Sequence, residues 1–161
     1  MQIHLIAVGR KMPHWVDQAY SEYAHRMPRH CSMKLIEINA GKRSKSADVA
    51  RINREEGERL LQAIPNGSRV IAMERSGKEK NTEQLALSME KWLAGGQDVV
   101  LLVGGPEGLS EDCLERADEC WSLSKMTFAH PLVRVVLAEQ LYRAWSIIAK
   151  LPYHRGEQGG G

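Results

Sequence analysis

The sequence predicts an α/β fold, a mostly parallel sheet flanked by helices. Short apolar runs with strand character recur five times along 161 residues, and helical patterns fall between them. The third and fourth runs also open directly into glycine-containing loops. Strand–helix alternation of this kind argues for parallel pairing with helices covering the sheet.

The first strand is expected over Ile3 to Val8. A helix over Pro13 to Met27 follows, with proline suited to a first turn and Trp15, Ala19 and Tyr23 expected on one face. Met33 to Ile38 reads as the second strand. Ala47 to Ala63 reads as a charged helix anchored by Ile52, Leu60 and Leu61. Arg69 to Met73 is the third strand. Asn81 then caps a helix over Thr82 to Leu93, with Gln84 completing a capping box. Val99 to Val103 is the fourth strand, and a short helix starts at Ser110. Trp121 to Met126 is the fifth strand. The last helix, Leu132 to Lys150, carries an apolar stripe of Val133, Val136, Leu137, Leu141, Trp145 and Ile148. No internal repeat or linker divides the chain. Residues 1–155 are expected to form a single domain and 156–161 a disordered glycine-rich tail.

Composition narrows the function classes. The chain is 43% hydrophobic and 26% charged, ordinary for a globular protein, and its formal net charge is only +2. Whole-chain charge therefore does not identify a nucleic-acid partner, and a local basic patch stays open. No apolar run has the length of a membrane span, and no signal-peptide pattern opens the chain. Cys31, Cys113 and Cys120 form no Cys-x-x-Cys and read as reduced thiols of a cytoplasmic protein. His4, His14, His25 and His30 show no metal-ligand spacing, so no metal is expected.

The loops carry the chemistry. Gly104-Gly105-Pro106-Glu107-Gly108 is neither Gly-x-Gly-x-x-Gly nor a P-loop, and it follows the fourth strand rather than the first. It offers side-chain-free backbone at a strand end, which suits a flat ligand such as adenine and equally suits a tight turn. Ser124, Lys125, Thr127 and His130 crowd polar groups at the next strand end, with Met126 and Phe128 interleaved. Apolar walls with a few placed polar groups fit an adenosine and a thioether. A third strand end, Met73-Glu74-Arg75-Ser76-Gly77-Lys78, has the same character.

These segments resemble the ribosomal RNA large subunit methyltransferase H family of the SPOUT superfamily over essentially the full length. The motifs are Ala7-Val8-Gly9, Gly104 to Leu109, Ser122-Leu123-Ser124 with Thr127, His130 to Val135, Glu139 to Ala144, and Pro152-Tyr153-His154-Arg155. The resemblance implies a C-terminal trefoil-knotted α/β fold and a homodimer. It implies S-adenosylmethionine as cofactor and methylation of N(3) of a pseudouridine in the 23S rRNA of the assembled ribosome. Carried over residue by residue, cofactor contacts fall on Met73, Gly104, Leu123, Ser124, Lys125, Met126, Thr127 and Phe128. Met73 and Met126 stand where relatives commonly have another apolar residue, a soft replacement.

Loss of the N(3) proton needs a base or stabilised charge on the flanking carbonyls. His154 can accept a proton near neutral pH, Arg155 can clamp a phosphate or an oxyanion, and Tyr153 can stack on a base or donate a hydrogen bond. A frayed polar tail is the alternative reading of that ending. His130 reads as a helix-entry cap or packing residue. Arg134 and Arg143 lie on opposite sides of the last helix, one for RNA or a partner and one solvated. Lys42-Arg43-Ser44-Lys45, with Arg51 and Arg54, is the candidate RNA patch, offset by Glu55, Glu56 and Glu58. Leu141, Tyr142 and Trp145 are candidate dimer contacts, or face the chain's own core. Two rival readings are a non-enzymatic RNA-binding protein on the same fold and a dinucleotide-dependent oxidoreductase. The second is disfavoured by Gly9-Arg10-Lys11-Met12-Pro13, which lacks a glycine-rich first loop.

Overall fold

A computed structural model describes residues 1–44 and 46–155. Lys45 of the basic run and the 156–161 tail lie outside the described residues. Strands β1 (Gln2–Val8), β2 (Ser32–Ile38), β3 (Arg69–Glu79), β4 (Val99–Val103) and β5 (Glu119–Ser122) form one sheet in the order β2-β1-β4-β3-β5. Every pairing is parallel. Central strands buried on both faces read as continuous apolar runs, which is why Val99–Val103 lacks alternation.

Helices cover both faces. Ile3, Leu5 and Ala7 pack with Leu101, Met89 and Leu137 on one side, beneath α1 (His14–Ala24), α3 (Thr82–Gly95) and α5 (His130–Ile148). Ile6 and Val8 pack with Leu102, Leu60 and Cys113 on the other, beneath α2 (Val49–Gln62) and α4 (Glu111–Arg116). The capping box at Asn81 is formed in both directions, and Ser110 caps α4 through the amide of Cys113. Cys31 and Cys113 are buried and no two cysteines are bonded; burial pushes the Cys31 thiol up to about 11.

Several elements differ from the sequence reading. In α1 the buried positions are Val16 and Tyr20, while Trp15 is 53% exposed, so the core-facing stripe lies one residue later. Strand β3 runs six residues past Met73. Met73 and Lys78 both stand opposite Trp121 of β5, so Glu74 to Gly77 bulge out of the ladder. Gly77 makes the return possible: a Cβ there would lie 2.7 Å from the backbone carbons of Cys120 and Trp121. Strand β5 stops at Ser122 rather than Met126, because the Ser122 hydroxyl donates to the Ser124 carbonyl at 3.0 Å and turns the chain away. Helix α5 starts at His130, with Pro131 in the first turn where its missing N–H costs nothing. Leu141 is 1% exposed and Arg134 fully buried, so neither meets a partner or RNA. The buried α5 residues are Arg134, Leu137, Ala138, Leu141, Ala144 and Ser146, while Val133, Trp145 and Ile148 of the expected stripe are partly buried and pack against the same core.

Candidate functional site

The carboxyl ends of β3, β4 and β5, together with the first turn of α5, enclose a cleft of about 580 Å³. Ligands of open parallel sheets bind at such strand ends. Met73, Val103, Leu123, Phe128 and Val133 supply apolar wall, and Ser124, Thr127, Glu74 and Glu107 supply polar groups. A hollow of about 470 Å³ also runs beside α1, but its lining comes only from that helix and the two residues after it, His25 and Arg26, away from the strand ends. Of the residues selected from sequence as cofactor contacts, Met73, Gly104, Leu123, Ser124, Met126, Thr127 and Phe128 line the strand-end cleft. Lys125 is exposed and does not line it.

The glycine turn is built for its own closure. A Cβ on Gly104 would lie 2.5 Å from the Gly108 carbonyl group, and Gly108 adopts φ +78° while its N–H donates to the Gly105 carbonyl at 2.9 Å. Gly104 therefore lacks a side chain because the turn folds back over it. A buried carboxylate fixes the turn from behind. Glu56 of α2, 2% exposed, accepts from the Gly41 amide at 2.8 Å and from the Arg43 guanidinium at 3.0 Å. The same guanidinium donates to Glu107 of the turn at 2.8 Å through Nε. That bond holds the Glu107 carboxyl below the usual carboxylate range. Arg43, read from sequence as part of an RNA patch, is exposed and also serves as a strut that ties Glu56 of α2 to Glu107 of the turn; Arg51 is paired with Glu55.

The facing wall is held as firmly. Ser124 Oγ accepts the Met126 amide at 3.0 Å, and Arg75 of the β3 bulge donates to the Thr127 hydroxyl. His130 closes the cleft at the start of α5, with Nδ1 buried and unpartnered. Burial, then the nearby Arg134 and Arg43 charges, lowers its pKa below the ordinary value, so the ring is neutral at physiological pH. Arg134, one turn on, donates to the Gly9 carbonyl at 2.7 Å and the Val8 carbonyl at 3.2 Å, and pairs with Glu37.

Tyr153, His154 and Arg155 occupy a 3₁₀ turn, Pro152–Arg155, packed against α5. Tyr153 donates to Glu139 at 2.9 Å, Arg143 stacks on its ring at 4.8 Å, and Arg143 also donates to the His154 carbonyl at 3.3 Å. Burial and then the Glu139 contact push the Tyr153 phenol well above its usual range. None of the three lines the cleft of its own chain. Glu139 is nine residues along α5 from His130, about 14 Å at 1.5 Å per residue. The structure therefore brings the predicted cofactor residues together and leaves the predicted catalytic trio apart from them. Among the described residues no group of His, Cys, Asp or Glu is arranged to hold a metal ion, and no helix is long and apolar enough to cross a membrane.

The Arg43–Glu56–Glu107 strut was not recognised in the sequence, although a signal exists. Glu56 falls midway between Ile52 and Leu60 at i, i+4 and i+8, a carboxylate inside the buried stripe.

Comparison with known proteins agrees with this architecture. The family model described as "Predicted SPOUT methyltransferase" matches residues 1–154. A Thioalkalivibrio sulfidiphilus protein named Ribosomal RNA large subunit methyltransferase H is 56% identical over 155 residues, covering 96% of this chain and 99% of the relative. Proteins of the same name from Methylococcus capsulatus and Hahella chejuensis are 50% and 56% identical, covering 96% of this chain and 100% and 99% of theirs. With an all-parallel sheet, a strand-end cleft and a family match spanning both, the chain belongs to the SPOUT methyltransferases.

Proposed function

We propose that the protein methylates N(3) of the pseudouridine at position 1915 of 23S rRNA in the assembled ribosome, in the cytoplasm, with S-adenosylmethionine as donor. One observation carries the reading. The strand-end cleft is formed by the motifs of this family, in a chain 56% identical to a relative bearing the rRNA methyltransferase name.

The residues present fit the donor. A cleft of about 580 Å³ is within the range of small-molecule sites. Met73, Leu123 and Phe128 suit an adenine and a thioether, while Glu74 suits a cationic ligand. The donor supplies a methyl carbon made electrophilic by its sulfonium. The chain's own task is to position the accepting nitrogen in line and to take its proton. The Ser124–Met126 and Arg75–Thr127 bonds keep the wall fixed while the base enters.

Tyr153, His154 and Arg155 supply the second half of the site from the other protomer of a homodimer. The C-terminal turn supports this assignment because it sits on a partly exposed aromatic surface. There Tyr142 meets Tyr153 edge-on at 4.9 Å and Tyr23 at 6.5 Å, beside Trp145 and Arg26. Such a surface suits burial by a second copy. In that arrangement His154 takes the N(3) proton, Arg155 steadies charge on the flanking carbonyl or holds a phosphate, and Tyr153 positions the turn through Glu139.

Methyl transfer from labelled donor to ribosomes, isolated subunits and naked rRNA, followed by mapping of the modified nucleotide, tests the reading. The expected product is a single methylated pseudouridine, with whole ribosomes the best substrate. Methylation elsewhere would reject the substrate assignment.

A further inference from the structure

Met126 is the most exposed large apolar side chain of the described residues, at 75%, yet it lies on the rim of the cleft. It is not a loose loop residue. Its amide is held by Ser124 Oγ at 3.0 Å, and its neighbour Thr127 is held by Arg75 from the β3 bulge. A backbone fixed on both sides with a bare side chain between presents that side chain outward. Pro106, exposed on the glycine turn, lines the same cleft, so the mouth has apolar surface on both sides.

We infer that the Met126 side chain packs against the face of the target base, which makes it a substrate-binding residue and not a wall of the donor pocket. The inference rests on the proposed RNA methyl transfer. A base that has left its stack exposes an apolar π-face that must be covered to be held. A flexible, polarizable thioether covers such a face and tolerates its approach angle. Leu123, Thr127 and Phe128 of the same segment line the cleft behind it, so one segment contacts both reactants with different residues.

The test compares wild type with Met126→Ala, Met126→Leu and Met126→Glu. It reads donor Kd by calorimetry, KM for ribosomes, oligomeric state by sedimentation, and thermal midpoint. Met126→Ala should raise KM for ribosomes about fivefold to tenfold while donor Kd stays within about twofold. Met126→Glu should raise KM further, and Met126→Leu should restore it. Thermal midpoints should not move, because the side chain is already in solvent. A raised donor Kd with unchanged KM would overturn the inference, as would a changed oligomeric state or no effect in any variant. If wild type binds the donor but transfers nothing to any RNA, the proposed function has failed before the variants are compared.

Discussion

Arg134 of α5 and Glu37 of β2 form an ion pair whose arginine is wholly buried. The pair joins the last helix to the edge of the sheet, and the same guanidinium holds the Val8 and Gly9 carbonyls where β1 ends. Arg134→Met would leave a carboxylate and two carbonyls without their donor. The expected loss of stability in urea unfolding is about 3 kcal/mol, the lower end for such pairs because Glu37 is partly open to water. Arg134→Lys keeps the charge but lacks the fork that reaches three acceptors, so it should lose less. Equal stability of Arg134→Met and wild type would show that the pair contributes nothing.

Gly104→Ala places a Cβ against the Gly108 carbonyl, and backbone cannot swing aside as a flexible side chain would. The turn should open and donor affinity fall at least tenfold, read by calorimetry. Gly95→Ala, where a Cβ meets nothing within 4 Å, is the control and should bind normally.

His130 sets a pH dependence. Its folded pKa lies below the ordinary 6.5, from burial first and then Arg134 and Arg43. Between the folded value and 6.5 the unfolded chain binds more protons than the folded one, so stability falls as pH drops through that window. His130→Gln removes this share. Its thermal midpoint should therefore fall less than that of wild type between about pH 7.5 and 5.5. Parallel falls would assign the acid sensitivity to other groups.

His154→Ala should leave donor Kd within about twofold and lower turnover on ribosomes by about 10² or more, the usual worth of a positioned base. The side chain is outside the cleft of its own chain, so donor binding in one protomer has no reason to change. Unchanged turnover would remove His154 from the mechanism.

Much of the architecture was legible in the sequence because periodicity and turn chemistry are local. The parallel class, the Asn81 capping box and the short helix that begins at Ser110 follow from patterns a few residues long. The three strand ends of the cleft were legible because glycines and polar side chains interrupt apolar runs there. Strand ends were read less well where pairing partners decide them. The extension of β3 depends on Trp121 accepting two partners, and the early stop of β5 depends on one hydroxyl turning the chain. Glu56 and Arg134 were misread as surface charge because their partners are 13 to 126 residues away. Each sits where burial demands a counter-charge, and a charged residue within an apolar stripe is the trace this leaves.

The strand order also fixes when the molecule can be assembled. β1 and β3 do not touch; the strand that joins them is β4, which is made later than either. From Glu79 to Val103 is 24 residues, about 1 to 5 s of synthesis at 5–20 residues per second. For that interval a nascent chain carries two apolar strands whose shared neighbour does not yet exist. Unpaired edges of this kind invite wrong partners. The sheet therefore closes from its middle and late, and the cleft at its end cannot form before β5 and the first turn of α5 have been made.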